Sequence, residues 1–206
     1  MIDHGRRLIF VHIQKTGGEA VTAALGGPRH PPDKHASAAE LKASCGAALF
    51  ERYFKFAFVR NPWERLVSWW SMIEAMRLGA AAGGPANSFQ RYVLERAGSF
   101  EDFLLRCGDP VEDHDGLKHI YRNQADYLTG ADGALLVDFV GRFEHLQRDF
   151  DAAMARIGAA PIALAHVNAS PHTHYSHYYS DVLAHHVGER YARDVAMFGY
   201  SFTRAQ

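Results

Sequence analysis

LIFVHIQKTGGEAV, residues 8–21, decides how the rest of the chain is read. Leu8 to Ile13 is a run rich in β-branched and aromatic side chains, stopped by Gln14. Lys15-Thr16-Gly17-Gly18 follows, then an alanine-bearing segment. A short apolar run closed by glycines reads as a buried strand. The stretch therefore spells strand over 7–13, tight loop, and helix from Gly18 to about Leu25.

Working outward, YFKFAFV (53–59) repeats the strand signature. RNPWERLVSWWSMIEAM comes next and opens a helix. Asn61 suits its N-cap, and Pro62 suits the first helical position, where a missing N–H costs nothing. Leu66, Trp70 and Ile73 form one apolar stripe, and of the adjacent Trp69 and Trp70 at most one is expected to face the core squarely. SAAELKASCG (37–46) carries a capping box in Ser37 and Glu40. SFEDFLLRCG (99–108) reads as a short helix and ALLVDFVGRF (134–143) as a third strand. A helix over 144–158 puts Leu146, Phe150, Met154 and Ile157 on one face, and a final helix is expected over 178–198. Strands alternating with helices predict an α/β fold with a central, mostly parallel sheet flanked by helices.

The chain has 206 residues, 48% of them hydrophobic, which is enough for one sizeable core. A single domain over 1–206 is expected. A net charge of -1 gives no basic field for nucleic acid, so any anion site must be built locally. Cys45 and Cys107 are far apart in no CxxC spacing and are expected as free thiols. MIDHGRR is polar and LIFVHI far too short to cross a bilayer, so no secretory or membrane segment is read, and a cytoplasmic protein is expected.

The opening loop is not a Walker A motif, which needs glycines ahead of the lysine in GxxxxGK[ST]; here both glycines come after it. Its physics is nonetheless that of an anion site. Backbone N–H groups of residues 16–20 lie where strand becomes helix, and Lys15 adds a full charge. Arg60 stands at the carboxyl end of the second strand, with Ser68 two turns into the helix beyond. In a parallel sheet such strand ends share one edge, where ligands bind. Two separated anion-competent junctions suit a nucleoside bisphosphate better than a triphosphate.

These motifs resemble the sulfotransferases that use 3′-phosphoadenosine 5′-phosphosulfate (PAPS), particularly the carbohydrate-modifying group with bacterial members. That family has a P-loop-like nucleotide-binding fold and a Pro-Lys-Thr-Gly-Gly-Thr-Ser type loop that wraps the 5′-phosphosulfate. The matching residues are Gln14, Lys15, Thr16, Gly17, Gly18, Glu19 and Ala20. Its Arg-Asn-Pro…Arg…Ser stretch, whose arginine and serine hold the 3′-phosphate, is matched by Arg60, Asn61, Pro62, Arg65 and Ser68. DFVGRFEHLQRDF (138–150) is similar to its third strand and following helix, and RDVAMFGYSF (193–202) to its ending. HVNASPHTHYSHYY (166–179) resembles its late cofactor-closing loop, which makes Asn168, Ser170 and His174 expected cofactor contacts. Residues 77–117 match least and are expected to shape the acceptor side. Glu19 and Ala20 depart from the pattern, standing where hydroxyl residues are usual. A carboxylate near a phosphosulfate is repelled unless it turns away or pairs with a cation.

The resemblance implies PAPS as co-substrate and a hydroxyl acceptor, carbohydrate by the group it resembles. Lys15 is then expected to stabilise the leaving phosphate oxygen. A base titrating near neutrality favours histidine. His35, in DKHASAAEL, lies where the family often has its catalytic histidine, with Asp33 and Glu40 as alternatives. His12 is expected to pack. His166, His172, His174 and His177 cluster late, but no cysteine or carboxylate completes a zinc set, so no metal is expected. Trp63 and Tyr175 suit either adenine stacking or packing. Arg122, Asn123 and Gln124 suit either sugar hydroxyls or a solvated helix face. Two other readings stand beside this one. A small-molecule kinase is disfavoured by the missing Walker A, and Asp138, expected inside the third strand, is a poor magnesium ligand. A non-catalytic bisphosphate binder is motivated by Glu19.

Overall fold

Leu8–Val11 (β2) is buried at every position, the pattern of a strand covered on both faces. In the computed structural model, which describes all residues except 29, 30, 32, 80–85, 115, 166–172 and 206, it sits in a four-stranded sheet. The sheet runs in the order β1 (Ile2–Asp3), β2, β3 (Phe54–Val59), β4 (Phe139–Arg142). β1 is antiparallel to β2. β2 and β3 pair in parallel from Leu8↔Phe54 to Val11↔Ala57, and β3 and β4 from Phe56↔Phe139 to Val59↔Arg142. The fold is α/β, and its three parallel strands deliver Gln14-Lys15, Arg60 and Phe143 to one sheet edge.

The described residues form two compact units. The first, residues 1–60 and 124–168, holds the sheet. With it come α1 (Gly18–Ala24), α2 (Ala38–Cys45), α3 (Ala47–Arg52), α7 (Ala125–Leu128) and α8 (Leu146–Arg156). Its core joins Leu8, Phe10, Phe56 and Phe58 of the strands to Val21 and Leu25 of the α1 segment and to Phe150, Ala153 and Met154 of α8. The expected capping box on α2 is present: the Ser37 hydroxyl accepts from the Glu40 N–H, and the Glu40 carboxylate accepts from the Ser37 N–H.

The second unit, residues 61–123 and 169–206, is helical. It contains α4 (Pro62–Arg77), α5 (Ser88–Arg96), α6 (Phe100–Arg106), α9 (Asp181–Arg190) and α10 (Ala192–Phe198). Asn61 caps α4 by accepting from the N–H groups of Trp63 and Glu64, with Pro62 at the helix start as expected. Trp69 and Trp70 are both buried, contrary to the expectation of one, because α4 is covered by two aromatic clusters. Trp69 packs on Phe89 of α5, and Trp70 on Phe100 and Phe103 of α6.

Two further elements differ from their sequence reading. The third strand is only Phe139–Arg142, since Leu136 bonds back to Leu128 and Asp138 leaves the expected strand interior to pair with Lys55. The last helix is broken at Tyr191, whose hydroxyl donates to the Ile120 carbonyl and accepts from Arg65. No helix among the described residues is long and apolar enough to cross a membrane.

Candidate functional site

The loop between β2 and α1 is tightly wound. Lys15 takes a left-handed backbone conformation at φ 67°, rare for a residue with a Cβ, and Gly17 follows at φ 81°. A non-glycine residue held there costs of order 1–3 kcal/mol, and such strain tends to persist at functional sites. Thr16 is buried and its hydroxyl donates to the Ile13 carbonyl at 2.9 Å, bracing the loop from inside. Gly17 has no room for a side chain: a Cβ would come within 2.7 Å of Leu146 Cδ2 and 3.1 Å of the Phe143 ring. The Ala20 N–H donates to the Gly17 carbonyl at 3.1 Å.

Arg60 reaches this loop within the same unit. Its Nη1 donates to the Lys15 carbonyl at 3.3 Å, and its guanidinium lies 3.9 Å from the centroid of the Phe143 ring. A cation over an aromatic face gains ~0.5–2 kcal/mol, more when shielded from water. Gln124 braces the arginine's backbone on both sides, accepting from its N–H and donating to its carbonyl, each at 2.8 Å. Gln124 is thus a buried clasp rather than a solvated residue of a helix face. The second anion motif therefore begins in direct contact with the first. Ser68 lies buried on α4 in the helical unit.

Glu19 stands in the first turn of α1 and pairs with the ammonium of Lys34. Lys34 is only 6% exposed against 34% for Glu19, so the carboxylate is the more solvated partner. Its charge is offset by a neighbouring cation, the condition under which an acid is tolerated beside an anion.

The residue after Lys34 is His35. Its Nδ1 lies 3.0 Å from the His12 carbonyl. A carbonyl only accepts, so Nδ1 carries a proton, and in the neutral form of the ring the lone pair is on Nε2. The His12 ring packs edge-on against His35 at 4.7 Å between centroids and is stacked on Phe10, as its packed reading anticipates. It also abuts Gly18, where a Cβ would come within 2.0 Å of its Cδ2. Gly18 is therefore a close-approach glycine.

The remaining expected residues divide. His174 is exposed in the helical unit and caps a short 3₁₀ turn, its ring accepting from the Ser176 N–H. Asn168 and Ser170 lie outside the described residues, as do His166 and His172. Trp63 donates from its indole to the Ala184 carbonyl, and the Tyr175 hydroxyl bonds Thr203, so both are used in packing. Asn123 donates to the Arg190 carbonyl. Among the described residues no group of three His, Cys, Asp or Glu side chains is placed to hold a metal ion. Sequence reasoning missed Lys34 and Phe143 as parts of this site, and read Gln124 as a sugar contact or solvated residue rather than as the brace of Arg60. Each acts through a partner distant in sequence, and no local motif marks it.

A tightly wound glycine-bearing loop at the end of the first parallel strand, an arginine from the second strand leaning on it, and a histidine bonded to the backbone of the first strand thus lie together in the sheet unit. The chain matches the Sulfotransferase family over residues 1–201 and belongs to that family. Its chemistry is accordingly sulfuryl transfer to a hydroxyl acceptor, and the protein is a transferase. No curated protein and no solved structure gave a match.

Proposed function

We propose that this protein transfers a sulfuryl group from PAPS to a hydroxyl of a carbohydrate, with His35 as the base. The observation that carries the reading is the convergence of Lys15, Gly17 and Arg60 at one sheet edge, with Glu19 compensated by Lys34. These residues fit a donor with separated phosphate groups: Lys15 and Arg60 bring two cationic residues to the sheet edge, and the Glu19 carboxylate is compensated by Lys34. Lys15 and the backbone N–H groups of the loop through Ala20 would hold the 5′ end, the Glu19 side chain being turned to Lys34, and Arg60 with Ser68 the 3′-phosphate; Asn168, Ser170 and His174 are the candidates for closing over it. PAPS supplies an activated sulfuryl group on a good leaving phosphate. In a loose in-line displacement most of the protein's work is positioning and charge stabilisation. Lys15 offsets charge on the leaving oxygen. His35 Nε2 takes the acceptor's proton while Nδ1–H stays on the His12 carbonyl.

The carbohydrate assignment rests on the likeness of both anion motifs to the carbohydrate-modifying group. The family match runs through both compact units, which supports one sulfotransferase domain over 1–206. Unbridged Cys45 and Cys107 fit a reducing, cytoplasmic compartment.

Calorimetric titration with adenosine 3′,5′-bisphosphate, against adenosine 5′-monophosphate, tests the donor. Selective binding of the bisphosphate, lost in Arg60→Ala and weakened in Arg60→Lys, is the expected result. Equal binding of both nucleotides, or of neither, rejects PAPS as donor. Transfer of labelled sulfate to a panel of glycans and phenols then tests the acceptor class.

A further inference from the structure

We infer that Glu19 and Lys34 form a clamp that positions His35, so that the carboxylate departing from the family pattern serves orientation of the base rather than contact with the donor. This rests on the reading of His35 as the base. Lys34 precedes His35 in a turn closed by two backbone bonds, Lys34 N–H to Pro31 O at 3.1 Å and Ala36 N–H to Asp33 O at 3.0 Å. The downstream end of that turn is fixed by the Ser37–Glu40 capping box. Its upstream end is fixed by the Lys34 ammonium on Glu19. A lysine this buried is stable as a cation only beside an opposite charge. Glu19 therefore determines where Lys34, and with it the His35 backbone, can sit.

A second chain of contacts runs parallel to the first. Gly18, next to Glu19, abuts the His12 ring, and the His12 carbonyl accepts from His35 Nδ1. The first turn of α1 thus reaches His35 by two routes, Gly18–His12–His35 and Glu19–Lys34–His35. Together they lock the donor loop and the base into one frame. Breaking the ionic route frees the turn to rotate and weakens the bond that keeps the proton on Nδ1. Glu19 and Lys34 are positioning residues, and their loss acts on the ring of His35 before it acts on anion binding.

The test uses the full chain, with histidine ring nitrogens observed by NMR and adenosine 3′,5′-bisphosphate titrated in parallel. Wild type is expected to show His35 as a single Nδ1–H tautomer. Glu19→Gln and Lys34→Met are expected to show mixed tautomers, with bisphosphate affinity changed by less than about threefold. The exchanged pair, Glu19→Lys with Lys34→Glu, is expected to restore the single tautomer. Lys34→Met removes the buried charge outright and keeps the test valid if Glu19→Gln folds poorly. An unchanged tautomer in both single variants overturns the clamp. A tightening of bisphosphate binding by about tenfold in Glu19→Gln also overturns it, because the carboxylate would then be opposing the donor directly. Absence of bisphosphate binding in every form rejects the PAPS reading instead, a result distinguishable because the ring measurement needs no nucleotide.

Discussion

Gly18→Ala sets two well-known effects against each other. Alanine is the better helix former by ~0.5–1 kcal/mol, so propensity alone predicts a stabler protein. The structure predicts the opposite sign. The added Cβ would lie 2.0 Å from His12 Cδ2, 2.1 Å from Nε2 and 2.7 Å from Cγ. Non-bonded carbons settle at ~3.5–4.0 Å, so the ring must retreat by more than an ångström. It has nowhere easy to go: His12 is 5% exposed, stacked on Phe10 on one side and against His35 on another. Overpacking of this kind costs ~1–3 kcal/mol, leaving a net loss centred near ~1 kcal/mol after the propensity gain. With a urea slope of ~1–3 kcal/mol/M, a loss of that size lowers the unfolding midpoint by ~0.3–1 M. Trp63, Trp69 and Trp70 all belong to the helical unit, so far-UV circular dichroism is the suitable probe for the sheet unit. In a His12→Ala background the same substitution should turn neutral or stabilising. A Gly18→Ala midpoint at or above wild type, with His12 intact, refutes the close-approach argument.

Other outcomes follow from the same geometry. His35→Ala should leave bisphosphate affinity within about threefold while lowering transfer from PAPS by ~10²–10⁴, the usual worth of a general base; equal losses in both would assign His35 to binding. Arg65, fully buried, donates to the Tyr191 hydroxyl at 3.0 Å, so Tyr191→Phe should destabilise by ~1.5–3 kcal/mol, read by tryptophan fluorescence across urea. Burial pushes the Cys107 thiol from 9.0 up to about 11. Iodoacetamide at pH 8 should therefore modify Cys45 well before Cys107 in the native protein and both in urea. The neutral thiol is the favoured form, so its stabilising contribution is intact below pH 9.0 and is lost as pH rises through about 11, which alkaline unfolding with Cys107→Ala as control would register.

The elements most legible in the sequence were those whose signals are local. The strands around LIFVHI and FKFAFV declare themselves by continuous burial, and the caps at Ser37 and Asn61 by residue type and spacing. The third strand is shorter than its apolar pattern because Leu135 and Leu136 continue that pattern while their backbone pairs with Thr129 and Leu128 instead. The last helix was overread because nothing local marks the break at Tyr191, whose buried hydroxyl is claimed by residues about 71 and 126 positions away. The site divides in the same way. Lys15, Gly17 and Arg60 were readable as motif residues; the partners that make them a site were not. Glu19 looked like an obstacle in sequence because its partner, Lys34, is 15 residues off and across a turn.

The left-handed backbone at Lys15 carries a consequence for anyone who engineers this protein. Glycine at that position would relieve ~1–2 kcal/mol of steric cost while surrendering only ~0.5–1 kcal/mol in chain entropy. Backbone conformation and the transfer role proposed for Lys15 therefore pull on residue 15 in opposite directions. A library ranked by heat resistance alone would drift toward glycine there and enrich sturdy proteins without the loop's charge. Selection on this scaffold should hold position 15 fixed, or score turnover in the same round.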